Sequence, residues 1–185
     1  MRTYAKTQVT AVAVIVTGAL GLGALTASAN AQEARPDRAP RGAVATLDGR
    51  SVDLGTSWEG ADVCEVGAAG KVTCWDAGTA ATATQKAEAA ARKKCKPGWF
   101  CIWDGTNFRG RMLKFNEERW HNLAPYGFSN RASSAQNRQD DPWPLKDRAY
   151  LADGRNGDGK QRRFEEGDRY ASLGRFNNKA SSVHG

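Results

Sequence analysis

The chain has 185 residues, 27 Lys and Arg against 20 Asp and Glu, four cysteines and only two histidines. A 40% apolar content suits a folded domain, and the absence of H-E-x-x-H removes the zinc-peptidase signature. No Lys/Arg cluster is interleaved with aromatics, which argues against a nucleic-acid groove.

The first 31 residues read as a secretory signal peptide: Arg2 and Lys6, then a nearly unbroken apolar stretch from Val9 to Leu25, then the small residues "ASANA". The apolar stretch lacks a stop-transfer flank, so no membrane span is expected. Removing it leaves 25 basic and 20 acidic residues, a formal charge of +5. A mildly basic secreted protein tolerates acidic cell-wall polymers as partners, although such a charge also serves solubility. Residues 32–42 are rich in Pro, Arg and Ala without periodicity and read as a disordered spacer.

Residues 43–94 read as a β-hairpin region followed by a short helix. "ATLDGRSVDL" is strand, Asp48-Gly49 turn and strand. In an exported chain an even cysteine count predicts disulfides. "VCEVGAAGKVTCW" makes a hairpin whose loop, Ala68 to Gly70, sets Cys64 opposite Cys74. In "CKPGWFC" the Pro97-Gly98 turn brings Cys95 back to Cys101. Between them, "TATQKAEAAARKK" has Thr82 and Gln85 at capping-box spacing and basic residues in its last turns.

Residues 95–185 read as all-β and internally duplicated. "FSNRASSA" from Phe128 returns as "FNNKASSV" from Phe176, an offset of 48. Upstream, "WDGTNFRG" from Trp103 falls opposite "YLADGRNG" from Tyr150, and short runs follow to Phe115 and Phe164. Motif one covers 95–138 and motif two 146–185. The aromatic residues Trp103, Phe108, Phe115, Phe128, Tyr150, Phe164 and Phe176 are expected to fill a shared core. Trp143 lies outside the repeat in a proline-bounded connector.

An aromatic, four residues, an aromatic, any residue and Gly, followed later by two Asn/Asp, two residues and two Ser/Thr, resembles the Greek-key motif of the βγ-crystallin superfamily. In this alignment Ser129 replaces the first Asn/Asp of copy one, and Arg155 replaces the aromatic of copy two. The resemblance implies one β-sandwich made of two motifs: an all-β, βγ-crystallin-like double Greek-key fold preceded by the disulfide hairpin region and helix.

Together with the secretory start and the cystine turn, the pattern is also similar to the actinobacterial metalloproteinase-inhibitor family. That resemblance implies a secreted, non-catalytic inhibitor that blocks a peptidase with a disulfide-held loop. The family closes its reactive loop with a cysteine pair in the second half of the domain, and no cysteine follows Cys101 here. The rigid candidate is therefore Lys96, Pro97, Gly98, Trp99 and Phe100, with Trp99 and Phe100 as apolar anchors. A cystine turn of this kind can equally serve to pin a strand.

The crystallin resemblance carries a second implication, calcium. Its ligands would be Asn130 and Ser133, Asn178 and Ser181, with Asp104 and Asp153 from the turns. Calcium takes about six to eight hard oxygens and gains affinity from carboxylates. Asn and Ser also close turns by bonding their own backbone, so the same hexapeptides can be plain corners.

Overall fold

Alternating apolar residues decide the fold. In a computed structural model, whose described residues are 42–78, 80, 82–140 and 148–185, each motif supplies four short strands with one face turned inward. The expected signal peptide, the spacer up to residue 41 and Trp143 lie outside these residues.

Motif one contributes β5 (Phe100–Trp103), β6 (Met112–Phe115), β7 (Trp120–Asn122) and β8 (Ser134–Asn137). Motif two contributes β9 (Ala149–Ala152), β10 (Gln161–Phe164), β11 (Arg169–Tyr170) and β12 (Ser182–His184). The third strand of each motif crosses to the other sheet: β11 pairs with β8, and β7 pairs with β12. One sheet therefore includes β11-β8-β5-β6, and the other is β10-β9-β12-β7. Exchange of third strands makes the two motifs one double Greek-key sandwich.

The inner faces meet through Phe100, Ile102, Leu113 and Phe115 from one sheet and Ala149, Leu151, Phe164 and Val183 from the other, all wholly buried. Burial of such side chains stabilises by roughly 1.5–3 kcal/mol each.

The hairpin region joins the first sheet. Here β1 (Val44–Leu47), β2 (Arg50–Asp53), β3 (Val63–Val66) and β4 (Val72–Trp75) follow one another, with β3 parallel to β6 and β1 parallel to β4. The sheet thus runs to eight strands, β11-β8-β5-β6-β3-β4-β1-β2, and the described residues fall within one compact unit, Asp37–Gly185. Asp48 and Gly49 both take left-handed backbone, φ 47° and 82°, as a tight hairpin of this twist requires. Cys64 lies directly opposite Cys74 and is bonded to it; Cys95 is bonded to Cys101. The helix α1 (Ala83–Arg92) opens on a complete Thr82/Gln85 capping box, and none of its residues is fully buried.

Two sequence expectations need correction. The turns align at an offset of 49, because Asp104 Oδ1 accepts from the N–H of Arg111 just as Asp153 Oδ1 accepts from that of Lys160. Trp103 therefore corresponds to Ala152, and the aromatic position of copy two is held by Gly157, not Arg155. The ring of Trp120 takes the space there: a Cβ on Gly157 would meet it at 2.4 Å.

The second correction concerns the core aromatics. Phe115, Phe128 and Phe164 are central, and Phe176 is partly buried against them. Trp103 faces the other way, into a small outer cluster with Val63, Met112 and the Cys95–Cys101 cystine, where Phe108 and Trp99 pack. Tyr150 lies outside on the second sheet against Trp120 and His184. Strand alternation sends neighbours to opposite faces: Trp103 follows the core residue Ile102 on β5, and Tyr150 sits between the core residues Ala149 and Leu151 on β9, so both rings point away from the interior.

Candidate functional site

The cystine turn is fixed on three sides. Pro97 fixes its own φ, and Gly98, φ 79°, supplies the left-handed residue that follows it in a tight turn. The Gly98 N–H donates to the carbonyl of Arg138 at 2.7 Å, and the Arg138 N–H donates back to Trp99 at 3.0 Å. Arg138 Nη1 also reaches the Cys95 carbonyl at 3.2 Å. With the disulfide, these contacts tie the turn to the end of β8.

Lys96 and Pro97 are exposed, Gly98 and Trp99 half-buried. Phe100 is wholly buried, with its ring centroid 5.1 Å from that of Phe164. It cannot anchor a partner, because strand alternation on β5 commits it to the sandwich interior. Trp99 packs on the outer cluster beside the cystine. What the turn offers outward is Lys96-Pro97-Gly98 and one edge of Trp99.

The two hexapeptides meet. The Asn130 N–H donates to the Ala180 carbonyl at 2.7 Å, and the Asn178 N–H donates to Ala132 at 2.9 Å. Both asparagines take left-handed backbone, φ 57° and 54°. The Ser133 hydroxyl lies 3.1 Å from Asn178 Oδ1 and donates to it. The Ser133 and Ser181 amides donate to Trp103 and Ala152, so each corner is closed onto the strand that precedes its own Asp turn.

Those contacts bear directly on calcium. Asp104 is held on both oxygens by Arg111: Oδ1 by the backbone N–H and Oδ2 by Nε, each at 2.8 Å. Asp153 Oδ1 accepts from the Lys160 N–H at 2.7 Å. No group of three or more His, Cys, Asp or Glu side chains gathers among the described residues. Side chains of Asp104, Asp153, Ser133 and Asn178 thus close turns and corners, and Asn130 and Ser181 join them through their backbone amides.

The sequence reading missed the last serine of each hexapeptide. Ser134 Oγ donates to the Gly105 carbonyl at 2.7 Å and accepts from the Phe108 N–H at 3.1 Å. Ser182 does the same with Gly154 and Gly157. Both serines are wholly buried, so "SS" contains one corner residue and one clasp on the folded turn. The serine's identity in both copies was the available signal.

The buried titratable groups lie elsewhere. His121 Nε2 stands 3.3 Å from Glu117 Oε2 without a hydrogen bond, and Nδ1 faces Tyr126 Oη at 3.5 Å. Burial, then Arg119, push the His121 pKa down to about 4. Burial raises the Tyr126 phenol and lowers His184. These groups are neutral packing elements at neutral pH.

Residues 88–145 match the model of peptidase inhibitor family I36. The matched stretch runs from the helix through the cystine turn and all of motif one into the connector beyond it. No curated protein matches the chain. Similar solved structures include a βγ-crystallin from Ciona intestinalis, at 19% identity over 47% of this chain and 98% of that one, TM-score 0.38. An archaeal βγ-crystallin shares 13% identity over 48% and 98%, TM-score 0.38. The N-terminal domain of protein S shares 23% over 46% and 92%, TM-score 0.37. The crystallin-like sandwich of this chain rests on its own strand order and exchanged third strands.

Proposed function

We propose that the chain is a secreted, non-catalytic peptidase inhibitor that presents its Cys95–Cys101 turn to a metalloendopeptidase. The observation that carries this reading is the coincidence of a rigid, exposed turn with the stretch that matches an inhibitor family. A turn held by a disulfide and by backbone bonds to Arg138 loses little entropy on docking, so a small contact can bind well. Two disulfides suit the oxidising compartment to which the N-terminal segment would direct the chain.

The contact residues are Lys96, Pro97, Gly98 and the open edge of Trp99. Titration of a purified thermolysin-like metalloendopeptidase with the mature chain tests the reading. Inhibition at micromolar concentration, weakened about tenfold (about 1.4 kcal/mol) by Trp99→Ala or Lys96→Ala, is expected. An enzyme left fully active at micromolar concentration overturns it.

A further inference from the structure

The two motifs are related by pseudo-symmetry, but one surface groove is filled in motif one and open in motif two. The equivalences are fixed by hydrogen bonds. Arg111 corresponds to Lys160 through the Asp turns, and Leu123 to Leu173, since their amides donate to Ser181 and Ser133. Phe128 corresponds to Phe176 at the head of each hexapeptide.

In motif one, Trp58 from the connection between β2 and β3 occupies the groove. Its ring lies 5.7 Å from that of Phe128 and 4.9 Å below the Arg111 guanidinium, and its Nε1–H donates to the Tyr126 carbonyl at 2.7 Å. Trp58 is 5% exposed and Phe128 wholly buried.

In motif two the corresponding groove is lined by Lys160, Arg162, Leu173, Arg175, Phe176 and Lys179. Nothing among the described residues plays the part of Trp58, and Phe176 keeps an open face where Phe128 has none. The groove is already built: Arg162 Nη1 donates to the Leu173 carbonyl at 2.6 Å, and its guanidinium lies 4.2 Å over the Tyr170 ring. Arg163 pairs with Glu165, whereas Lys160, Arg175 and Lys179 have no carboxylate at ion-pair distance among the described residues.

We propose that this groove binds an acidic peptide segment of a partner protein and takes one aromatic side chain in the place Trp58 holds in motif one. The half-buried ring of Phe176 gives the incoming ring its contact, and the three unpaired cations at the rim, which outnumber the one lining carboxylate, Asp153, select acidic flanks. A nucleic acid is disfavoured, since one half-buried ring makes no platform for successive bases. The proposal does not depend on the inhibitor reading, which concerns the cystine turn.

The chain's own filler supplies the probe. A labelled peptide of residues 52–60, with Trp58 between Asp53 and Glu59, is titrated against the full mature chain by fluorescence anisotropy. Saturable binding below about 1 mM is expected, weakened at least about tenfold by Trp58→Ala in the peptide and by Arg175→Glu with Lys179→Glu in the chain. Both chain substitutions are on exposed side chains, and an unchanged Tm confirms that the fold survives them. Failure to saturate by about 1 mM overturns the proposal. So does binding indifferent to the peptide's tryptophan and displaced by polyphosphate, which would mark a charge-only surface for anionic polymers.

Discussion

Lys114 on β6 lies directly across the parallel seam from Glu65 on β3, with Nζ 3.0 Å from the carboxylate, and its side chain is wholly buried. Burial lowers its pKa, and the hydrogen bond it donates to Glu65 opposes that shift. The pair therefore locks the hairpin region to the sandwich through one charge that has no alternative solvent. Glu65→Gln should destabilise the chain by about 3 kcal/mol, because it strands a buried cation. Glu65→Leu combined with Lys114→Met should recover most of that loss. Denaturant midpoints for the two variants check this, and a neutral Glu65→Gln would show that Lys114 reaches water.

Trp58 is the second tie between hairpin region and sandwich. Trp58→Ala should cost about 3–5 kcal/mol, the usual effect of emptying a large aromatic site. The loss should exceed that of Trp99→Ala, whose ring is already half open to solvent. Equal losses in urea unfolding would contradict the packing described for the first groove.

Acid should weaken the fold before the carboxylates titrate. His121 is held at a pKa of about 4 against an ordinary 6.5, so its neutral form is the one the fold favours. The unfolded chain takes up a proton below pH 6.5 while the folded chain does not, and stability is lost as pH falls towards 4. Between pH 7 and pH 5 the loss should be about 2 kcal/mol, and His121→Gln should flatten it. A pH profile unchanged by that substitution would move the effect to His184.

Calcium should leave the Tm where chelator puts it, since a ligand that binds only the folded state must raise it by mass action. A calcium-dependent rise abolished by Asn178→Ala would instead show that the hexapeptide corners open to make a cage.

Opening the second cystine separates staple from contact surface. Cys95→Ser with Cys101→Ser should cost about 2 kcal/mol by the loop-closure argument, leaving β5 paired on both sides. Peptidase inhibition should weaken by a larger factor than does stability; an inhibition curve unchanged by the double substitution would relieve the turn of any contact role.

What the sequence disclosed follows from how local each signal is. The Asp48-Gly49 turn, the Thr82 capping box, both cystine partners and the repeated hexapeptides are written within a few residues and were readable. The alignment of the turns was read two positions off, because Trp103 and Tyr150 look alike while the Asp-to-amide clasp that fixes the offset leaves no aromatic mark. The β3–β6 pairing joins residues 49 apart in parallel and has no turn to announce it. Trp58 was missed for a similar reason: a lone tryptophan in a connection carries no pattern, and only its partner Phe128, 70 residues on, explains it.

Exchange of third strands also sets the order in which the molecule can be completed. The last strand, β12 at residues 182–184, lies inside the second sheet between β9 and β7. Motif one cannot hold its own third strand until β12 of motif two has been synthesised, so β7 waits for its partner while the intervening residues of motif two are made. Loss of residues 182–184 would remove an interior strand and leave β7 and β9 facing each other across a gap.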